Sequence, residues 1–402
     1  MTRPRFSAVL SNPGFLLLWM GQLLSQLADR VFIYVLMILA YSITRSNLGV
    51  SIPMLAFGIP SILFGSLAGV YADRLDRKGI MVISCILRGI LIFLLVPLVH
   101  KSIALIFLVS LFIYTIAQFF APAESSSIPE LVEKKNLIIA NSLFMVTWMG
   151  ASMIGFGLGA PIFNWLEEQG TFALSATFYF ISAGLIFLVP LKYQAPEGGH
   201  QPLNIVKDLV NGFSYINRNV IIGYSLFKMF VSTSALAVVS LLAISYAKDV
   251  LMIGEKNFGY LVIAAGFGMF AGMWFLGRVG YYFKKSTIVV ASFLLSGASL
   301  FTIASISDIK FSFLLIFLLG VCNILINSSI QTILQSEVPA EMRGRVFGVQ
   351  NMLINSAFTV PLIIFGAIAD IWGVRASLHV LGATMIIAGF IGIFGRGFKT
   401  AQ

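Results

Sequence analysis

Twelve long apolar runs alternate with short polar or charged connections along the 402 residues of the chain. Gly, Pro or charged residues bound each run, and most runs approach or exceed the roughly 20 residues that a helix needs to cross a bilayer. The pattern therefore predicts twelve membrane-spanning helices and leaves no stretch for a separate soluble domain. The runs cover residues 14–41, 48–71, 80–99, 102–123, 138–165, 171–191, 218–247, 257–280, 286–306, 311–334, 347–371 and 376–395.

The longest polar stretch, residues 192–217, divides the runs into two groups of six. It opens with a Pro- and Gly-rich link from Ala195 to Pro202, and apolar residues then follow at helical spacing. These residues are Leu203, Val206, Leu209, Val210 and Phe213. The stretch indicates a linker followed by a helix that lies on the inner membrane surface. We predict an all-α polytopic membrane protein of two six-helix bundles, residues 1–191 and 218–402, joined by this cytoplasmic linker.

Composition and charge agree with a membrane protein. Apolar residues (AVILMFWYC) make up 58% of the chain and charged residues 10%, whereas a soluble domain has about half and about a quarter. The net charge is +10, and assigning alternate connections to alternate sides places 17 Lys and Arg residues on one face and 6 on the other. The positive-inside rule then puts the first face and both termini in the cytoplasm. No basic run supports nucleic-acid binding.

The sequence offers little support for cofactor or metal chemistry. The two cysteines, Cys85 and Cys322, lie in apolar runs far apart in sequence, so neither a disulfide framework nor a metal cluster is predicted. Neither the phosphate-binding pattern Gly-x-x-x-x-Gly-Lys-Ser/Thr nor the zinc pattern His-Glu-x-x-His occurs. The three histidines lie at run ends or in a connection. We expect no cofactor and no metal, and we expect a carboxylate to carry any transported proton.

The connection between the second and third runs carries five charges in the segment Gly69-Val70-Tyr71-Ala72-Asp73-Arg74-Leu75-Asp76-Arg77-Lys78. It resembles the loop signature of the major facilitator superfamily, Gly-x-x-x-Asp-Arg-x-Gly-Arg-Lys, at the position that the family gives it. Asp76 replaces the second Gly, which resembles the bacterial drug-efflux branch that contains macrolide and enterobactin exporters. Three further stretches are similar to that branch: Ser25 to Asp29 in helix one, Ala121 to Glu130 after helix four, and Val338 to Val346 before helix eleven.

This resemblance implies that the charged connection is a conformational latch between the two halves on the cytoplasmic side. Asp73 would face the positive N-terminal end of helix eleven, which begins near Arg345, and Gly69 would permit close helix approach. The latch residues are then Gly69, Asp73, Arg74, Asp76, Arg77, Lys78 and Arg345. The alternative is an ordinary connection that follows the positive-inside rule.

Charged residues inside the apolar runs are the first candidates for function, because a charge at the bilayer centre costs at least about 2.5–3.5 kcal/mol on insertion scales. Asp29, Arg30 and Arg88 lie in such runs, and Glu124 lies near the inner end of helix four. We assign these four to proton or charge coupling, with Asp29 as the proton carrier. Two alternatives remain, a structural ion pair of Asp29 with Arg88 and a solvated Glu124 in a connection. Lys228 is expected to snorkel to the inner surface.

Polar side chains repeat along single faces of three predicted helices, because residues three and four apart share a helix face. The stripes are Gln22, Gln26 and Asp29 on helix one, Tyr114 and Gln118 on helix four, and Asn323, Asn327 and Gln331 on helix ten. In the superfamily that the chain resembles, helices one, four, seven and ten line the central cavity. We therefore predict that the stripes bind substrate. The alternative is interhelical hydrogen bonding that only holds the bundle together.

Helix five contains Gly150, Gly155, Gly157, Gly159 and Pro161, which partly resembles the glycine-proline pattern of the superfamily's antiporters. Phe163 and Asn164 stand where that pattern has further glycines. The small residues still predict tight helix packing, and Pro161 predicts a bend.

Together with the resemblance to the drug-efflux branch, which favours export, the sequence thus predicts a monomeric secondary transporter of the bacterial inner membrane that exports a small amphipathic organic molecule by proton antiport. Its partners are the substrate, protons and the bilayer. One alternative is an importer or lysolipid flippase of the same fold. Another class of alternative is a membrane-embedded enzyme or receptor without transport, which would need a compact catalytic set or an extramembranous domain.

Overall fold

The computed structural model describes residues 9–98, 102–133, 136–191, 205–279, 282–339 and 342–391, and over these residues it is helical without any strand. Arg3 and Arg5, the link from Ala195 to Pro202, and Leu203 lie outside the described residues, so the predictions for them are not tested.

Six helices precede the linker: α1 Pro13–Thr44, α2 Asn47–Arg74, α3 Arg77–Leu95, α4 Ile103–Leu131, α5 Leu137–Gly157 and α6 Gly159–Phe187. Within the described residues, α7 Ile205–Arg218 forms the end of the linker, and six helices follow it: α8 Val220–Ser245, α9 Gly259–Val279, α10 Lys285–Ser305, α11 Ile309–Glu337, α12 Arg343–Ser356 and α13 Val360–Phe390. A π-helical turn, Tyr246–Val250, extends α8.

The predicted number of membrane crossings agrees with the length of these helices. Eleven helical runs in the described residues are long and apolar enough to cross a membrane. One of them, Arg345–Phe390, has 46 residues, or about 69 Å at 1.5 Å per residue, which is twice the hydrocarbon thickness of about 30 Å. Non-helical backbone at Gly373, with φ of 85°, interrupts this run. The run therefore supplies crossings eleven and twelve.

Two predicted boundaries differ from the structure. Helix four was predicted to end at residue 123, but α4 continues to Leu131 with Pro122 and Pro129 inside it. A proline removes only one backbone donor, and membrane helices tolerate that loss where neighbouring groups satisfy the freed carbonyl. Helix five is interrupted at Leu158 between α5 and α6, and α6 is broken at Glu167, where φ is 55°. The fifth and sixth crossings therefore meet at Glu167.

The polar residues between the runs define where several helices begin. Asp76 caps α3, Ser102 caps α4, Asn219 caps α8 and Asp308 caps α11, in each case by accepting a hydrogen bond from a backbone N–H of the first turn. Such caps satisfy donors that have no partner within the helix. Each cap therefore marks the residue at which the connection ends and the helix begins.

The chain forms two compact units. Unit 1 comprises Met1–Ile43 and Ala56–Gln201, and unit 2 comprises Thr44–Leu55 and Pro202–Gln402. In unit 1, α3 packs against α4 and α6, and in unit 2, α9 and α10 pack against α11. The first turns of α2 thus group with unit 2, although the rest of the helix groups with unit 1. The division into residues 1–191, 192–217 and 218–402 stays a prediction.

The helix predicted after the link is present as α7, and it packs on α12. A Cβ on Gly212 would lie 2.9 Å from the carbonyl oxygen of Arg345, so the two helices touch through their backbones. Its position on the membrane surface stays a prediction.

In unit 2, α9 and α11 also approach through glycines. A Cβ on Gly320 would lie 1.9 Å from the Ala265 carbonyl oxygen, and one on Gly268 would lie 1.9 Å from the Phe317 carbonyl oxygen. Small residues allow such contacts between membrane helices, where dispersion forces replace the hydrophobic effect as the main attraction.

We expect Gly320→Ala to lower the free energy of unfolding by about 1–3 kcal/mol, the usual cost of overpacking, because its methyl group must push α9 and α11 apart. The melting temperature of the detergent-solubilised protein, followed by fluorescence, measures this loss. Gly277→Ala on α9 is the control, since a Cβ there meets nothing within 4 Å. Equal melting temperatures for the two variants would contradict the proposed contact.

Candidate functional site

The structure brings Asp29 of α1 and Arg88 of α3 together in the interior of unit 1. Arg88 Nη1 lies 3.6 Å from Asp29 Oδ2, and the side chains are 2% and 23% exposed, respectively. A buried charge is tolerated when an opposite charge and hydrogen bonds compensate its loss of hydration. The ion pair that the sequence left as an alternative is therefore present, and it is compatible with a coupling role for Asp29.

Tyr179 of α6 completes this cluster, and the sequence analysis did not identify it. Its hydroxyl donates a hydrogen bond to Asp29 Oδ1 and accepts one from Arg88 Nη1 at 3.2 Å. Ser175 and Ser182 lie on the same face and donate to the carbonyls of Ala28 and Gly21 at 2.8 and 2.7 Å. The spacing of these three hydroxyls, four and three residues apart, is the sequence signal that could have identified them.

Arg88 is almost fully buried, with 1% of its surface exposed. Its Nε donates to the Ser84 carbonyl at 3.2 Å, and Nη2 lies 3.7 Å from Cys85 Sγ. The guanidinium also stacks 4.4 Å from the centre of the Tyr179 ring and 5.1 Å from that of Phe120. These contacts satisfy most of the N–H donors of the planar guanidinium and orient it towards Asp29.

Arg30 lies beside Asp29 in sequence but points to another neighbour. Its guanidinium is 5.5 Å from the centre of the Trp148 ring, and its Nε has no hydrogen-bond partner among the described residues. A Cβ on Gly155 would lie 2.3 Å from Arg30 Cβ, and one on Gly159 would lie 2.5 Å from the Tyr34 ring. The glycines of helix five thus permit tight packing against α1.

Other predicted residues of unit 1 are buried with free hydrogen-bonding capacity. Gln22 is 3% exposed, Tyr114 4% and Glu124 8%. Within the part of the chain that the structure describes, the Gln22 Oε1, the Tyr114 hydroxyl and the Glu124 Oε1 have no hydrogen-bond partner. Gln118 donates to the Tyr114 carbonyl at 3.3 Å, and Gln26 is half-buried. Burial inside α4 excludes the alternative that Glu124 is a solvated acid in a connection.

The prediction that Lys228 snorkels to the inner surface is wrong. Its side chain is 0% exposed, and its Nζ lies 5.8 Å from the centre of the Phe293 ring. The reason is that α8 is enclosed by α11, α12 and α13, so a side chain two turns from its start has no path to the surface.

In unit 2, the predicted stripe on α11 bonds to neighbouring helices. The Nδ2 of Asn323 and that of Asn327 both donate to Ser232 Oγ of α8, at 3.2 and 3.3 Å. Gln331 Oε1 accepts from Gln350 Nε2 of α12 at 2.6 Å. These bonds support the alternative of interhelical bonding. Substrate binding by the stripe stays a prediction, and Gln350 is a polar residue that the sequence analysis did not identify.

The basic residues of the loop signature donate hydrogen bonds to other parts of unit 1. Arg77 Nη1 donates to Glu130 and to the Ser126 carbonyl, and Lys78 Nζ donates to the Val189 carbonyl at 3.0 Å. Asp76 accepts from the Lys78 and Gly79 amides at the start of α3, so the residue that replaces the family's glycine is a helix cap.

The other proposed latch residues lie at two helix ends. Gly69, Asp73 and Arg74 are in the last turns of α2, and their side chains lie outside the described part. Met342, the N-cap of α12, makes no side-chain cap hydrogen bond. The latch stays a prediction. Among the described residues there is no group of three or more His, Cys, Asp or Glu side chains that could hold a metal ion.

The family model of the Major Facilitator Superfamily matches residues 18–361 and 225–400 of this chain. The chain belongs to the Major Facilitator Superfamily. The expectation drawn from the loop signature is confirmed, and the protein is a membrane transporter and not an enzyme.

Curated relatives and solved structures match nearly the whole chain. The uncharacterised MFS-type transporter YfiS of Bacillus subtilis is 26% identical over 98% of this chain and 95% of its own length. Macrolide efflux protein A of Streptococcus pyogenes is 22% identical over 93% of both chains. The crystal structure of the nucleoside transporter NupG is 14% identical with a TM-score of 0.76, over 94% of this chain and 98% of that chain. This last likeness shows the fold.

We expect Asp29→Asn and Arg88→Gln each to lower the apparent melting temperature, and the double variant to recover most of the loss. Either single change leaves one buried charge without its partner, which costs about 3–5 kcal/mol in buried pairs of soluble proteins. Thermal unfolding of the three variants in detergent measures the coupling. If the double variant loses the sum of the two single effects, the two side chains do not interact in the protein.

Tyr179→Phe should cost more stability than Tyr246→Phe, which serves as the control. Tyr246 is equally buried, but its hydroxyl meets the neutral partners Ile303 O at 3.2 Å and Ser312 Oγ at 2.9 Å. A hydrogen bond to a charged group contributes about 1.5–3 kcal/mol, against about 0.5–1.5 kcal/mol for a neutral one. Melting temperatures of the two variants decide this, and an equal loss would mean that the Tyr179 hydroxyl does not bind an ionised Asp29.

Proposed function

We propose that this transporter exports a small amphipathic organic molecule across the bacterial inner membrane in exchange for protons, with both termini in the cytoplasm. Transport proceeds by alternating access, in which two six-helix bundles expose one central site to each side in turn. The curated relatives support export, because one of them is named a macrolide efflux protein.

The observation that carries this proposal is the cluster of Asp29, Arg88 and Tyr179. Asp29 is the one acid of α1, and it reaches two partners on two other helices, α3 and α6. Protonating Asp29 removes the negative charge that Arg88 faces and weakens the hydrogen bond from Tyr179. The contacts between α1, α3 and α6 therefore depend on whether a proton is bound, and the proton can bias one orientation of the transporter over the other.

The same cluster suggests how substrate competes with the proton. Arg88 lies 3.6 Å from the Asp29 carboxylate, Arg30 follows Asp29 directly on α1, and the buried Tyr114 hydroxyl of α4 has no hydrogen-bond partner among the described residues. A substrate group that binds the ionised carboxylate of Asp29, as a cation or a hydrogen-bond donor, is released when Asp29 takes up a proton. Gln22 lies on the same helix, and its Oε1, which has no hydrogen-bond partner within the described residues, supplies a further acceptor.

At the cytoplasmic end, Asp73 is proposed to bind the start of α12, since the Met342 side chain leaves the first amides of that helix without a cap. An anion near a helix N-terminus is favoured by about 0.3–1 kcal/mol, more where water is excluded. A latch of this strength shifts a two-state population several-fold without entering the substrate site.

The test is transport by purified protein in proteoliposomes with an imposed pH or sodium gradient, over a panel of amphipathic cations, anions and neutral compounds. Efflux driven by a proton gradient supports the proposal. Substrate flux in the same direction as the proton flow would show an importer. Movement of labelled lysolipid would show a flippase.

We expect Asp29→Asn to abolish proton-driven transport while the protein still folds, because the amide keeps the shape of the carboxylate but cannot bind and release a proton. The measurement is proton-driven flux at matched protein content, compared with flux down a substrate gradient alone. Asp308→Asn is the control, because among the described residues the Asp308 carboxylate bonds only to the first turn of α11. Coupling at the wild-type level in Asp29→Asn would exclude the assigned role.

A further inference from the structure

Asp370 of α13 binds the first turn of α2 with both oxygens of its carboxylate. Its Oδ1 accepts from the Asn47 backbone N–H at 2.7 Å and from Asn47 Nδ2 at 3.0 Å, and its Oδ2 accepts from the Leu48 backbone N–H at 2.9 Å and from the Ser46 hydroxyl. Four donors of one short segment thus converge on one carboxylate. The partners are more than 300 residues apart in sequence.

The start of α2 does not need Asp370 in order to be capped. Ser46 already supplies a local cap, because its Oγ accepts from the Gly49 backbone N–H at 3.1 Å. Asp308 shows the local arrangement elsewhere in the chain, since it caps only the helix that follows it. Asp370 instead adds a second set of bonds from a distant helix. These bonds therefore fasten α2 to α13 rather than merely begin a helix.

Further contacts hold the same segment. The Asn47 side chain is 6% exposed, and its Oδ1 accepts from the Ser245 hydroxyl of α8 at 2.5 Å. One turn before Asp370, a Cβ on Gly366 would lie 3.1 Å from Leu48 Cα, so α13 approaches the backbone of α2 closely. Arg45, just before the segment, lies 3.8 Å from Glu255, which also binds Lys248 at 3.1 Å.

The fastened segment belongs to a helix that both units share. Thr44–Leu55 group with unit 2, whereas the rest of α2 groups with unit 1. Any movement that carries all of α2 with unit 1 must first break the bonds of its first turn to Asp370 and Ser245. The contacts are at the end of α2 that the positive-inside rule assigns to the outer face.

We propose that Asp370 forms an outer clasp, defined as its bonds to Ser46, Asn47 and Leu48, which must open before the transporter exposes its site to the outside. The outer clasp and the proposed Asp73 latch are reciprocal. At the outer face, Asp370 of the eleventh crossing binds the N-terminus of α2, the second crossing. At the inner face, Asp73 of α2 is proposed to bind the N-terminus of α12, where the eleventh crossing begins. Each closes one side, and the balance between them sets the population of the two orientations.

The inference rests on alternating access as proposed above, but its test needs no substrate. Val50, 0% exposed and just inside the clasp, is replaced by cysteine as a reporter, and labelling with a membrane-impermeant maleimide from the outer side is measured in oriented vesicles. The native Cys85 and Cys322 are buried and are checked for lack of labelling. We expect Asp370→Asn to raise the labelling rate about fivefold, the factor typical for loss of one helix cap.

Asp308→Asn is the matched control, because it removes a capping carboxylate that binds only its own helix. It should leave the labelling rate unchanged. An unchanged rate in Asp370→Asn, or an equal rise in both variants, would overturn the proposal. Melting temperatures report whether each variant is folded.

A second pair of substitutions tests the clasp in the opposite direction, by locking it closed. The pair Ser46→Cys and Asp370→Cys replaces two side chains that touch, so oxidation should join them by a disulfide. With the disulfide formed, labelling of the Val50 position should fall below the wild-type rate, and reductant should restore it. Labelling that is equally fast with and without the disulfide would overturn the clasp. Transport in the wrong direction would refute the proposed export without changing either result.

Discussion

The constraint on which the rest of this structure depends is that the bilayer interior provides no water to satisfy a polar group. Every charge or amide in the twelve crossings must find a partner within the protein or face a hydrated cavity. Arg88 meets this requirement with a carboxylate, a hydroxyl, a backbone carbonyl and two aromatic rings. Because so many partners converge on it, a single proton on Asp29 changes several interhelical contacts at once.

Helix packing in both units follows from the same constraint. Apolar side chains gain little by leaving lipid for protein, so helices associate where small residues let backbones touch or where hydroxyls bond across. In unit 1 these contacts come from Gly155 and Gly159 and from the Ser175 and Ser182 hydroxyls. In unit 2, Gly268 and Gly320 bring α9 and α11 together. The charged cluster thus sits among helices whose spacing is set by close contacts at glycines and by hydroxyl-to-carbonyl hydrogen bonds.

The positions of the helices could be predicted from the sequence because bilayer thickness sets the length of an apolar run. The prediction of helix four stopped at residue 123 because the polar stretch Glu124 to Ser127 ends the apolar run, although α4 continues through that stretch to Leu131. Tyr179 was missed because a tyrosine in an apolar run looks like any other apolar residue. Its partner Asp29 becomes visible only when α1 and α6 are in contact. Asp370 was missed for the same reason, as its partners are hundreds of residues away.

The sharing of α2 between the units has a consequence for biosynthesis. The carboxylate that binds Asn47 is made 323 residues later, and at about 5–20 residues per second roughly 16–65 seconds separate the two. Ser245 of α8 follows Asn47 by 198 residues, so its bond can form earlier, but throughout that interval the start of α2 has its local Ser46 cap without its bonds to α13. The N-terminal half therefore enters the membrane with one helix end incomplete, and only synthesis of the penultimate crossing finishes it.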